Sequence, residues 1–134
     1  MPRPADWPER LYDVIAAYQG GIFVWGQRDC WRLTMDVVRA VSGAEPYADL
    51  PAYDSATGAA RLLVERGFSG IGDALAAVLP EVPPSLAQRG DVGVIDEDGG
   101  EAGVVVIGAD VLGMAPAGLT RTPRARLKRA YRVG

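Results

Sequence analysis

The chain has no histidine, one cysteine, and no apolar run that approaches the length of a membrane span. Without histidine, no side chain has an ordinary pKa near neutrality, which excludes an imidazole base supplied in cis. A lone cysteine cannot close an internal disulfide. Without histidine it also cannot assemble a zinc site from the usual nitrogen and sulfur ligands. Neither a structural metal nor a cofactor is expected. The opening residues, Met1-Pro2-Arg3-Pro4-Ala5-Asp6, lead into an amphipathic segment without a signal peptide's apolar region. The expectation is a protein made and assembled in the cytoplasm, with no membrane insertion. Apolar residues make up 49% of the 134, with seventeen glycines and ten prolines spread along the chain, which is the profile of a folded domain rather than of disorder. One domain over residues 1–134 is expected.

Charge is unevenly distributed. From Leu119 onward there are six cations (Arg121, Arg124, Arg126, Lys128, Arg129, Arg132) and no acid. The preceding residues therefore hold eight cations against seventeen acids, a net −9. A nucleic-acid surface would call for a basic domain with interleaved aromatics, and Tyr131 is the only aromatic here. The alternative is a terminal strand whose cations pair with the acidic body or with an acidic partner protein.

The periodicity changes midway. Asp6 can cap a first helix reaching about Gln19, with Leu11, Val14, Ile15 and Tyr18 on one face. Asp29 can cap a second, carrying Leu33, Thr34, Val37, Val38 and Val41 and stopped by Gly43. Residues 44–54 read as a loop, and 55–66 and 71–79 as two shorter helices. Strands follow at 91–96, 102–107, 111–115, 119–122 and 126–133, with a hairpin signal at Glu97-Asp98-Gly99-Gly100. Helices followed by an antiparallel meander predict an α+β fold.

Cys30 falls at the start of the second helix, in Phe23-Val24-Trp25-Gly26-Gln27-Arg28-Asp29-Cys30. A thiol in the first turn meets free backbone N–H groups and the positive end of the helix dipole, so an acidified nucleophile is expected. An inert buried cysteine is the competing reading. Trp25 and Trp31 flank it and read either as the lining of a groove or as core. Arg28 and Asp29 read as a pair across the site, or as a surface ion pair and a cap.

Phe-x-Trp-Gly-x-x-Asp-Cys entering a helix, then Arg89-Gly90-Asp91-Val92-Gly93-Val94, Gly103-Val104-Val105-Val106-Ile107-Gly108 and Ala115-Pro116, resembles the NlpC branch of papain-like cysteine peptidases. More narrowly, the chain is similar to the small NlpC-like proteins of phage and prophage tail modules. The resemblance implies N-terminal helices packed on an antiparallel sheet of about five strands. Cys30 then takes the position of the nucleophile and Asp29 the position before it. Where the family has its histidine, in a His-Val-Gly-Ile pattern, this chain reads Glu101-Ala102-Gly103-Val104. Glu101 therefore stands at the imidazole position, or Ala102 does if the register slips by one. Met114, before Ala115-Pro116, takes the place of the third, polar residue. As a base, Glu101 would be poorly matched to a thiol, and a solvated turn residue is the alternative.

The resemblance thus implies a catalytically degenerate domain serving in the tail of a phage or phage-like (gene-transfer) particle. Its partners would be the tail hub, tail-tip or distal tail proteins, with peptidoglycan as a further ligand of the inherited groove. The alternative is an active cell-wall cysteine amidase or endopeptidase using Cys30 with a base from another chain. A soluble regulator outside any virion is a third reading.

Overall fold

The computed structural model describes residues 2–97 and 99–134. Helix α1 spans Trp7–Tyr18 and buries Leu11 and Tyr18. Asp6 stands at its cap position but makes no capping bond, because its carboxylate instead accepts from Arg10 Nε at 2.9 Å. Helix α2, Cys30–Ser42, is the centre of the molecule: Asp29 Oδ1 accepts from Arg32 N, Gly43 ends the helix, and seven of its side chains are buried. Helix α3, Ala56–Glu65, is capped by Ser55 and buries no residue, and α4 is the short Ile71–Ala76. Two cores result. One joins α1, α2 and α4 to the helix-facing side of the sheet, and a smaller one on the other side contains Ile95, Val104, Val106, Val111, Leu127 and Ala130.

The fold is mixed α+β with a six-stranded antiparallel sheet, one strand more than expected. Its strands are β1 Glu81–Val82, β2 Val92–Glu97, β3 Gly100–Val106, β4 Asp110–Ala115, β5 Gly118–Pro123 and β6 Arg129–Tyr131, in spatial order β1-β6-β2-β3-β4-β5. The added strand, β1, is two residues between prolines, too short to carry a period-2 signal. It exists because β6, nearly fifty positions later, offers it a ladder. The last strand is shorter than the expected 126–133, since residues Arg124–Arg126 close a 3₁₀ turn after Pro123. The continuous apolar run in β3 is buried on both faces as expected, with Val104, Val105 and Val106 all at most 1% exposed. The hairpin signal lies partly outside the described residues, at Asp98. Its flanks, Glu97 and Gly100, are paired across the β2–β3 ladder.

The terminal cations mostly pair within the molecule. Arg129 holds Glu81 at 2.7 Å and Asp73 at 3.1 Å, Lys128 lies 3.1 Å from both Asp96 and Glu101, and Arg121 reaches Asp110 at 3.2 Å. Arg124 donates to the Ser85 carbonyl at 2.8 Å. Among the described residues, Arg126 and Arg132 are exposed and make no such bond.

Candidate functional site

The site begins in the loop before α2. Val24 and Arg28 form a single antiparallel bridge, and the chain between them folds onto Asp29. The Asp29 carboxylate, 1% exposed, accepts from Gly26 N (2.8 Å), Arg32 N (2.8 Å) and the Tyr53 hydroxyl (2.6 Å). Gly26 cannot be replaced without distortion: its φ is +81°, and a Cβ there would lie 2.0 Å from the Tyr53 carbonyl oxygen. The Gly-x-x-Asp spacing is thus a loop lock that aims the following residue, Cys30, at the sheet. Arg28 does not pair with Asp29; it donates to the Ile22 carbonyl at 3.2 Å.

Gly103 of β3 lets α2 approach. A Cβ at that position would lie 2.6 Å from Thr34 Oγ1 and 3.4 Å from the Cys30 carbonyl oxygen, which already accepts from Thr34 at 2.8 Å. Beyond Gly103 the sheet opens. Strands β3 and β4 pair only at Val105↔Leu112 and Val106↔Val111, whereas β2–β3 and β4–β5 each share six pairs. The N-terminal half of β3 and the C-terminal half of β4 therefore share no ladder pairs, which leaves a gap in the sheet's hydrogen bonding. Cys30 lies in the gap together with Glu97, Ala102, Met114, Thr120 and Thr122.

The thiol is not acidified. Cys30 is half-buried, and desolvation is the largest cause pushing its pKa above the ordinary 9.0. Hydrogen bonding from the Gly103 backbone works against that rise, the charges of Asp29 and Glu97 add to it, and the Trp31 backbone opposes it. The expected dipole effect is outweighed first by burial of the thiol, and then by the Asp29 carboxylate, which already occupies a free N–H of the helix start and adds a negative charge that opposes the thiolate.

The other expected site residues divide. Met114, 3% exposed, forms part of the gap wall, and so does Ala102, the residue at the slipped register. Glu101 does not face the gap. Oε1 accepts from Gly72 N at 2.9 Å at the start of α4, and Oε2 lies 3.1 Å from Lys128 Nζ, so Glu101 is neither a base for Cys30 nor a freely solvated turn residue. Trp31 is core: it is 9% exposed and packs at a tilt of 43° against Tyr47, with centroids 5.9 Å apart. Trp25 is 37% exposed and rests edge-on against Phe23, outside the gap. Glu97, Thr120, Thr122 and Tyr53 were not singled out by the sequence. Glu97 sits in a turn signal, the threonines read as ordinary strand residues, and Tyr53 reaches Asp29 from an aperiodic loop.

Among the described residues, no group of three or more Cys, Asp or Glu side chains is arranged to hold a metal ion, and no helix is long and apolar enough to cross a membrane. The arrangement defines an α+β domain that presents a thiol of raised pKa at a helix start, beside a break in the β3–β4 ladder, in a chain without histidine. Residues 2–133 match the family described as Domain of unknown function (DUF6950), and the chain belongs to that family. No curated protein matches the chain.

Proposed function

We propose that this protein is a structural component of a phage or phage-like (gene-transfer) tail tip. In this reading it is a catalytically degenerate NlpC-like, papain-like domain that docks on hub or neighbouring tail proteins and is assembled in the bacterial cytoplasm. One observation carries the non-catalytic part. The gap around Cys30 offers Glu97, Thr120, Thr122, Ala102 and Met114, and the chain has no histidine to place beside the thiol. The thiol itself is held in its protonated form. The tail setting rests on the order and spacing of the four motifs; the loop lock at Asp29 and the close approach at Gly103 give two of those motifs a physical role.

The test is to purify tail particles and quantify this protein in them, and to assay the isolated protein on muropeptides. Stoichiometric presence with no turnover supports the reading. Absence from particles, or turnover lost on Cys30→Ser, refutes it. The gap walls are small at Ala102, Gly113 and Ala115, which favours one second reading, a cell-wall amidase whose base enters from a neighbouring chain. Turnover that appears only when the tail partners are added would support that one.

A further inference from the structure

We infer that β5 is a self-complementary edge through which two copies of this chain pair, a property independent of the tail reading. The sheet has two edges. β1 is two residues long and bounded by prolines, whereas β5 has six residues and no strand on its outer side. Which backbone groups β5 leaves open follows from its register. Residues Ala115 and Gly118 close the two-residue turn to β4, and Arg124 N donates to Ala109 O at 3.0 Å. Pairs that exchange hydrogen bonds alternate along an antiparallel ladder, so Gly118, Thr120 and Thr122 bond to β4 while Leu119, Arg121 and Pro123 point their backbone outward. Pro123 has no N–H, so the open edge presents two donors, Leu119 N and Arg121 N, flanked by the matching carbonyls.

Two such edges fit antiparallel about a two-fold axis through Thr120. Leu119 of each copy then exchanges both hydrogen bonds with Arg121 of the other, making four in all. The two Thr120 residues face each other, and the like-charged Arg121 side chains stand opposite leucine rather than each other. The register that places Arg121 against Arg121 is disfavoured by charge. The Arg121 side chain is 67% exposed and lies 3.2 Å from its own Asp110. Four backbone bonds bury far less than the roughly 1,600 Å² of a standard stable interface, so the dimer is weak in free solution and is favoured by high local concentration, as in an assembly.

Cross-linking reads the geometry directly. Directly opposed residues that do not exchange hydrogen bonds have Cα atoms about 4.5 Å apart, within disulfide reach. In a Cys30→Ser background, Thr120→Cys should therefore oxidise to a covalent dimer, whereas Thr122→Cys, opposite Gly118 of the other copy, should not. Arg121→Pro removes an outward backbone donor and the exposed Arg121–Asp110 pair but no backbone hydrogen bond to β4. By sedimentation it should weaken dimerisation by about tenfold or more with an unchanged circular dichroism spectrum. Equal cross-linking at 120 and 122, no cross-linking at 120, or unaltered association of the proline variant would each overturn the proposal.

Discussion

Glu101 Oε1 accepts a hydrogen bond from the backbone N–H of Gly72 at 2.9 Å, and so caps a helix from a strand twenty-nine residues away. The cap position of α4 is Gly70, which has no side chain to cap it, and the Tyr131 hydroxyl donates to the Gly72 carbonyl at 2.7 Å. Glu101, one of the two residues expected at an imidazole position, is therefore engaged in capping α4. Glu101→Ala should cost about 1–2 kcal/mol and lower the thermal midpoint by several degrees. Glu101→Gln, which keeps the acceptor oxygen and loses the Lys128 pair, should cost less. Calorimetry checks both, and an Ala variant as stable as the parent would remove the cap from the account.

A second prediction follows from the buried phenols. Tyr18 donates to Asp36 at 2.7 Å and Tyr53 to Asp29 at 2.6 Å. Burial first, then those carboxylates, push both well above the ordinary 10.0. Tyr131 is pushed up to about 12, chiefly by burial, and burial raises the Cys30 thiol as well. In each case the folded state holds a proton that the unfolded chain gives up first, so stability falls as pH rises. Their contribution is complete below the ordinary values near 9 and 10 and is lost progressively above them, for Tyr131 through about pH 12. Urea midpoints should hold steady from about pH 7 to 8.5 and drop by pH 10.5, with a shallower drop in Tyr53→Phe. A flat profile through that range would contradict the burial argument.

Much of the fold was legible because it rests on local chemistry. Asp29 as a cap, the apolar stripe of α2 and the β-branched run of β3 each stand within a few residues of the signal that marks them. What was missed depends on distant pairings. Strand β1 exists only through β6, the bond from Tyr53 to Asp29 crosses twenty-four positions, and Glu101 finds its partner on α4 rather than beside Cys30. The expected acidity of the thiol failed for a related reason. Burial of Cys30 against the sheet, a tertiary effect, is the larger cause, and Asp29, the residue that defines the helix start, adds a charge that opposes a thiolate.

The terminal cations give a third prediction. Lys128 and Arg129 each hold two carboxylates, so reversing them to Glu replaces attraction with repulsion and should lower the stability of the isolated domain. Arg126 and Arg132 have no such partners among the described residues. The double variant Arg126→Glu, Arg132→Glu should leave the thermal midpoint within about a degree or two, and it should reduce incorporation into tail particles if this edge meets an acidic neighbour. Quantitative mass spectrometry of purified particles reads the second effect. Normal incorporation of the double variant would reject a charge-guided edge.

The last prediction separates the two registers that the missing histidine left open. Ala102 is half-buried in the gap with Cys30, whereas Glu101 turns away toward α4. An imidazole introduced at 102 would share the gap with the thiol. Its cationic form would oppose the effects of Asp29 and Glu97 and stabilise the thiolate. Ala102→His should therefore accelerate iodoacetamide modification of Cys30 at neutral pH by roughly tenfold, with a pH dependence that follows the new imidazole. Glu101→His should leave the rate near that of the parent and cost stability through the lost cap on α4. Peptide mapping by mass spectrometry would confirm that Cys30 is the alkylated residue. If the acceleration came from position 101 instead, the placement of Ala102 rather than Glu101 in the gap with the thiol would have to be reassigned.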